Sequence, residues 1–252
     1  MRTDTLLHAT AMALLLAAAV IASQGTNESV FLWFNAESQV LPAWFWSNMT
    51  FVADTLFAVA VIGTVASRAP HMFNTAFVLL ITGTAFVHGL KFLLEIPRPP
   101  AVLDPDVFNV IGPVVKNHAF PSGHSFTALA TAGLIMVYTR SIPCAVAVLV
   151  IALVAAASRA AVGAHWPLDI LVGSASGLIF AALAKYLTES QWWLQGEKLE
   201  RFTAALLTIT SVVLIFHQSK YPDTQFLSIG GGAIATLCLT RYWSTLVKQM
   251  RK

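Results

Sequence analysis

The feature that most limits what this chain can fold into is a series of eight apolar runs separated by short polar turns. A helix that crosses a bilayer needs about 20 apolar residues. Within lipid every backbone polar group must find a partner inside the protein, which leaves helices and closed barrels. Barrel strands alternate polar and apolar residues over about ten positions, and no such alternation occurs here. Charged residues make up 11% of the chain and hydrophobic ones 57%, whereas a soluble domain carries about 25% charge. The expectation is an all-α, polytopic transmembrane helix bundle forming one domain over residues 1–252. The net charge of +3 then reports topology, since no basic tract suits nucleic acid. Cys144 and Cys238 lie too far apart for a metal motif and read as packing residues.

Span 1 is expected over residues 5–23. Val20-Ile21-Ala22 resembles a signal-peptide cleavage site, but the apolar run is long for one, so an uncleaved anchor is expected. Residues 24–49 hold Phe31, Trp33, Phe34, Trp44, Phe45 and Trp46, the composition of an interfacial helix with an aromatic belt. A role in guiding substrate is the alternative. Span 2 covers about 50–67. Its Asp54 is either a functional acid within a span or a complement to the helix start. Span 3 covers about 73–96 and ends at Pro97, Pro99 and Pro100. Spans 4, 5 and 6 cover residues up to about 138, about 144–159 and about 167–187. In span 6, Gly173 and Gly177 form a face for close helix packing. Trp192 and Trp193 follow at an interface. Spans 7 and 8, about 202–217 and 225–242, are short enough that a re-entrant hairpin is the alternative to two crossings. The catalytic core is expected at about 50–187, with the C-terminal spans added to it.

With the N-terminus inside, ten of the 15 Lys and Arg residues fall inside, Arg251 and Lys252 among them. Five fall outside: Lys91, Arg98, Lys116, Arg159 and Lys220. That split fits the excess of basic residues in cytoplasmic loops. Alternating spans also put four span ends on the outer face. These ends carry Lys91, Arg98, Ser122, Gly123, His124, Arg159, His165 and Asp169. Basic residues that merely anchor lipid headgroups are expected on the inner face, and these are not there.

Pro121-Ser122-Gly123-His124 reads as a loop opening a helix. Proline is tolerated in a first turn, glycine admits a close ligand, and the free N–H groups favour an anion. A histidine in that turn can move a proton beside whatever binds. The other residue types suit phosphoryl transfer. Its transition state spreads negative charge over three oxygens, which fixed cations and N–H groups stabilise. Arginine grips phosphate with a planar fork and lysine adds a compact charge. One histidine can attack phosphorus while another protonates the leaving alkoxide. His165 and Asp169 are four apart near a helix start, so a carboxylate can fix the ring tautomer.

Lys91, six residues, Arg98-Pro99; then Pro121-Ser122-Gly123-His124; then Ser158-Arg159, five residues, His165, three residues, Asp169: this resembles the three-block signature of the type 2 phosphatidic acid phosphatase superfamily. All three blocks stand in order, without substitution, across about 80 residues. The resemblance implies a six-span core. It implies that His165 is the nucleophile and forms a phosphohistidine, that Asp169 orients it, and that His124 is the general acid. Lys91, Arg98, Arg159, Ser122 and the Gly123 backbone would bind phosphate. Spans 7 and 8 lie outside the resemblance, and His88, Glu95, Lys116 and His118 lie near the site without matching it. No metal or other cofactor is expected, because a two-metal phosphatase needs clustered carboxylates and histidines and Asp104 and Asp106 alone do not supply them. The expected activity is an integral-membrane lipid phosphate phosphatase, acting on an undecaprenyl diphosphate, phosphatidylglycerol phosphate, phosphatidic acid or lipid A type of substrate. The expected setting is a bacterial inner membrane with the site facing the periplasm. The alternatives are a lipid phosphotransferase with the same intermediate and a non-enzymatic lipid-binding or transport bundle. No oligomeric state follows from the sequence.

Overall fold

A computed structural model describes residues 2–250. Among these residues all regular structure is helical. In chain order the helices are α1 (Thr3–Gln24), α2 (Asn27–Ser38), α3 (Ala43–Val52), α4 (Thr55–Ala66), α5 (Met72–Leu94), α6 (Pro99–Val102), α7 (Gly123–Tyr138), α8 (Ile142–Ala161), α9 (Pro167–Ser190), α10 (Glu197–Phe216) and α11 (Gln225–Met250). Each apolar run of the sequence carries a helix. Five are long and apolar enough to cross a membrane, namely α1, α5 with its α6 extension, α8, α9 and α10, and the bent pair α3–α4 makes a sixth if taken as one span. The protein is therefore an integral membrane helix bundle. Helix α7, with 16 residues, is only about 24 Å long. Ser125 and Phe126 in its first turn are buried. Helix α11 is 26 residues long, but Gly230, Gly231, Gly232 and Arg241 dilute its apolar run.

Span 2 is not the continuous helix the sequence reading expects. It breaks between α3 and α4 with a 60° bend. The cause is Asp54, which sits in extended backbone and accepts the Leu56 N–H at 2.8 Å. A short carboxylate competes well for that capping place and poorly for a helix interior. Asp54 is thus a helix cap. The aromatic segment also departs from a simple belt. Trp33 and Trp44 are exposed, as a belt requires, but Phe31 and Trp46 are buried. Phe31 packs edge-on to Phe108 and Trp166, so α2 turns one face into the protein. Cys144 is exposed and Cys238 half-buried, and neither is bonded to the other.

Helices α7 and α9 form the centre. Helices α1, α2 and α8 cover one flank around Leu129, Ala152 and Trp166. Helices α4, α5, α10 and α11 cover the other around Phe73, Phe126, Leu207 and Leu239. The α7–α9 contact depends on absent side chains. A Cβ on Gly177 would lie 2.4 Å from the Phe126 carbonyl oxygen, and one on Gly173 would lie 2.6 Å from that of Ser122. In a membrane, such close backbone approach is what holds helices together. Helices α10 and α11 pack as a hairpin against α4 and α5.

Loops alternate between two ends of the bundle. One end gathers residues 25–54, 95–122, 162–166 and 217–224, and with them Lys91, Arg98, Lys116, Arg159 and Lys220. The other end gathers Arg2, Arg68, Arg140, Lys185, Lys198, Arg201, Arg241 and Lys248. Two contacts fix this second end: Thr3 donates to the Thr139 carbonyl and Lys185 to that of Val137. Arg251 and Lys252 lie outside the described residues.

Gly177→Ala should lower stability by about 1–3 kcal/mol through overpacking. Gly230→Ala, where nothing lies within 4 Å of the added methyl, should be neutral or gain up to about 1 kcal/mol. Thermal unfolding in detergent of the two variants beside the parent checks the contrast.

Candidate active site

The end of α5, the start of α7, the end of α8 and the start of α9 meet at one point. Ser122 is the reason the two central helices arrive together. Its backbone N–H donates to the Asp169 carbonyl at 3.0 Å, so the start of α7 is stapled to the first turn of α9. Ser122 rather than Pro121 opens the helix. Its hydroxyl oxygen is the N-cap, accepting from the Ser125 N–H at 3.3 Å and from the Ser125 hydroxyl at 2.9 Å. The first helical hydrogen bond runs from Phe126 N to Ser122 O. The N–H groups of Gly123 and His124 precede it and stay available to a ligand. A methyl on Gly123 would only touch Val87 at 3.6 Å, so packing does not demand glycine there. His124 and Gly123 line a cavity with Lys91.

His165 is 1% exposed and Asp169 2%. The ring Nδ1 of His165 lies 3.2 Å from Asp169 Oδ2, and that oxygen also accepts the Trp166 N–H at 3.0 Å. With its Nδ1–H donated to the carboxylate, His165 presents Nε2 as its free lone pair. The loop is fixed from below, because the Arg159 carbonyl accepts from the N–H groups of both Ala164 and His165. Gly163 adopts φ +74°, and a Cβ there would lie 2.5 Å from the Asn109 carbonyl oxygen. Burial pushes the His165 pKa well below the ordinary imidazole value, and the charges of Arg98, Arg159 and Lys91 push it further. The ring is neutral at pH 7, the state a nucleophile or ligand requires.

The three cations are held by neutral acceptors. Lys91 Nζ donates to the His118 carbonyl at 2.5 Å. Arg98 donates through Nε to the Asn117 carbonyl at 2.8 Å and through NH1 to that of Ala164 at 3.3 Å. Arg159, 3% exposed, donates through NH1 to the Thr50 hydroxyl at 2.6 Å and to the Tyr221 hydroxyl at 2.8 Å. Its Nε is buried without a partner. None of these cations pairs with a carboxylate among the described residues. The arrangement is a positive pocket, buried at Arg159 and half-buried at Lys91 and Arg98, with unspent donors suited to an anion.

All eight residues singled out from the sequence therefore lie at one end of the bundle. Of the four unmatched neighbours, His118 has a defined place: its ring Nδ1 lies 3.1 Å from the Lys91 carbonyl while its own carbonyl takes the Lys91 ammonium. The Lys116 carbonyl accepts the Arg98 N–H, its side chain being exposed. His88 bonds to Thr84 within its own helix, and Glu95 ends α5 in left-handed backbone. Three residues escaped the sequence reading. Asn35 is buried and bridges the Asn109 backbone to the carbonyls of Ala160 and Ala161. Thr50 and Tyr221 hold Arg159. Only the buried amide of Asn35, four residues beyond Phe31 on an apolar helix face, offered any signal.

The neutral His165 should leave a trace in stability. Below about pH 6.5 the unfolded chain protonates this ring while the folded protein does not. The unfolded state then binds more protons, and stability falls as pH drops from about 6.5 towards the lower folded value. His165→Gln should flatten that acid limb. Thermal midpoints of parent and variant across pH 4.5–7.5 check it.

Residues 72–193 match the PAP2 superfamily. No curated protein matches the chain. Among solved structures, the crystal structure of Aquifex aeolicus LpxE superposes with a TM-score of 0.55 at 21% identity, covering 64% of this chain and 94% of that one. At that identity the likeness is one of fold. Lys91 to Asp169 fall within the matched segment, whereas Thr50 and Tyr221 fall outside it. The three motif blocks gathered at one set of helix ends all fall inside residues 72–193, the segment that matches the PAP2 superfamily.

Proposed function

We propose that the protein is a lipid phosphate phosphatase that works through a phosphohistidine on His165. The observation that carries this reading is a buried, neutral, Asp169-bound histidine beside three cations that no carboxylate among the described residues neutralises. Binding an anion would need the cations alone. A tautomer-fixed imidazole among them has the form of a nucleophile.

In this reading Lys91, Arg98 and Arg159 bind the phosphate oxygens, with the Gly123 and His124 N–H groups and the Ser122 hydroxyl beside them. His165 Nε2 attacks phosphorus, the P–O bond to the lipid breaks, and His124 gives its proton to the leaving alkoxide. Asp169 holds the imidazolium that forms on His165. Water then attacks the phosphohistidine, His124 takes its proton, and inorganic phosphate leaves with His165 restored. The cations supply the charge stabilisation that metal ions provide in other phosphatases, so the reaction should persist in chelator.

The lipid part of the reading rests on a cavity of about 260 Å³ that begins at Lys91, Gly123 and His124 and runs between α4, α5, α7 and α10 past Val59, Ile62, Phe77 and Leu206. A polar head at the cations with an apolar chain beside these residues describes an amphiphile. The basic residues at the opposite bundle end favour that end in the cytoplasm, which would place the site on the outer face, the periplasmic one in a bacterial inner membrane.

Rapid quenching with labelled lipid phosphate in the presence of chelator should trap phosphate on nitrogen, stable to base and labile to acid. His165→Ala should abolish the label. Asp169→Asn should slow turnover by roughly a thousandfold or more, as loss of the orienting carboxylate does in hydrolytic triads. Turnover of His165→Ala near the parental rate would overturn the assignment. For topology, single cysteines replacing Lys116 and Arg140, with Cys144 and Cys238 changed to Ala, should react with an impermeant maleimide in intact cells at Lys116 only.

A further inference from the structure

Arg159 carries an arrangement of donors that the superfamily segment does not explain. Its NH1 has two N–H bonds, and both hydroxyls that receive them come from elsewhere in the chain. Thr50 lies at the end of α3, just before the bend made by Asp54. Tyr221 lies in the loop between α10 and α11, in the C-terminal hairpin that had no assigned role. Thr50 Oγ1 is also 2.9 Å from Ser158 Oγ, so it is fixed against the residue preceding Arg159. Tyr221 is fixed on three sides. Its N–H reaches Ser219 Oγ at 3.1 Å, and its carbonyl accepts from Thr224. Its ring lies against Gly112, where a Cβ would meet it at 2.6 Å. The guanidinium also sits 5.5 Å from the ring centroid.

The consequence is an aimed fork. With NH1 consumed by two neutral oxygens, the group cannot rotate to offer that edge to a ligand. Its buried Nε has no partner. An unmet N–H on a buried charged group is costly, and an anion oxygen meets it. The edge formed by Nε and NH2 is one that binds two oxygens of a phosphate side by side.

We infer that Thr50 and Tyr221 are positioning residues for Arg159, and that the C-terminal hairpin serves the active site by carrying Tyr221 to it. This rests on the phosphatase reading in so far as Arg159 meets a phosphate oxygen. Hydroxyls suit the task better than carboxylates. They fix the guanidinium without neutralising it, so its charge stays available to the anion. A carboxylate in either place would compete with the substrate.

Tyr221→Phe keeps the ring on Gly112 and beneath the guanidinium and removes only the oxygen. It should lower kcat/KM for a lipid phosphate by about five- to thirtyfold, the worth of one such hydrogen bond, and raise the vanadate concentration for half-inhibition alike. Thr50→Val should act similarly, and Thr50→Ser should restore parental values. In an Arg159→Ala background, Tyr221→Phe should add nothing, whereas a merely structural role would add its full effect. Lys220→Ala, on the same loop but exposed, should leave the parent unchanged. Vanadate-induced thermal stabilisation of the purified protein reads the same binding without turnover, and Thr50→Val carries the test if Tyr221→Phe folds poorly. Parental kcat/KM and vanadate response in both Tyr221→Phe and Thr50→Val, with Arg159→Ala impaired, would overturn the positioning role and leave the phosphatase reading standing. An Arg159→Ala variant with parental activity and vanadate response would overturn the positioning role together with the place of Arg159 in the phosphate site, whereas a parent protein that turns over no lipid phosphate would overturn the phosphatase reading itself.

Discussion

Three cations gathered in a membrane protein, Arg159 buried and Lys91 and Arg98 half-buried, need acceptors, and the choice of acceptors governs the rest of the structure. An unpaired charge in a low-dielectric interior is costly, and carboxylates are the usual remedy. Here Lys91 and Arg98 bond to backbone carbonyls and Arg159 to two hydroxyls. These partners satisfy N–H groups but leave the charge in place. The one carboxylate nearby, Asp169, is occupied by His165 and by the Trp166 N–H. The pocket therefore keeps an excess of positive charge in a setting where charge acts strongly. Burial first, and this excess of charge after it, hold His165 neutral.

Delivering carbonyls to those cations requires irregular backbone within the bundle, which is tolerated only where protein surrounds it. The segments around residues 96–98 and 116–119 bond to each other, with Arg98 N donating to Lys116 O and Ala119 N to Ile96 O. Asn35 ties Asn109 to the end of α8. The Asn27 side chain accepts the Leu168 N–H at the start of α9, and the Trp166 indole donates to the Pro97 carbonyl. Helices α2 and α3 thus brace the site loops, which is why Phe31 and Trp46 are buried instead of facing lipid.

The polar pocket and the apolar cavity share Lys91, Gly123 and His124 as a boundary. This junction follows from the shortness of α7. Its first turn is drawn down onto α9 by the Ser122 N–H and by the missing side chain of Gly173. A histidine at that turn consequently faces the cations on one side and the space between α4, α5 and α10 on the other. Gly173 and Gly177 are in that sense as necessary to the site as the charged residues.

The apolar runs determined by themselves that the chain is a helical membrane bundle, because lipid offers the backbone no other partner. The spacing of Lys91, Arg98, His124, Arg159, His165 and Asp169 determined which residues meet, because alternating spans return every second helix end to the same side. The small-residue face of α9 was legible for a similar reason, as a four-residue repeat needs only helical periodicity to align. Asp54 was legible as a residue that could start a helix, and the tertiary structure decided for that reading, capping having outweighed the apolar pattern. It alone decided the inward turn of Phe31 and Asn35, since an aromatic segment reads alike whether it meets lipid or protein. It alone brought Thr50 and Tyr221 to Arg159. Hydroxyls 171 positions apart in sequence carry no local periodicity, and only the packing of the C-terminal hairpin against α4 and α5 sets one of them within 2.8 Å of a guanidinium on α8.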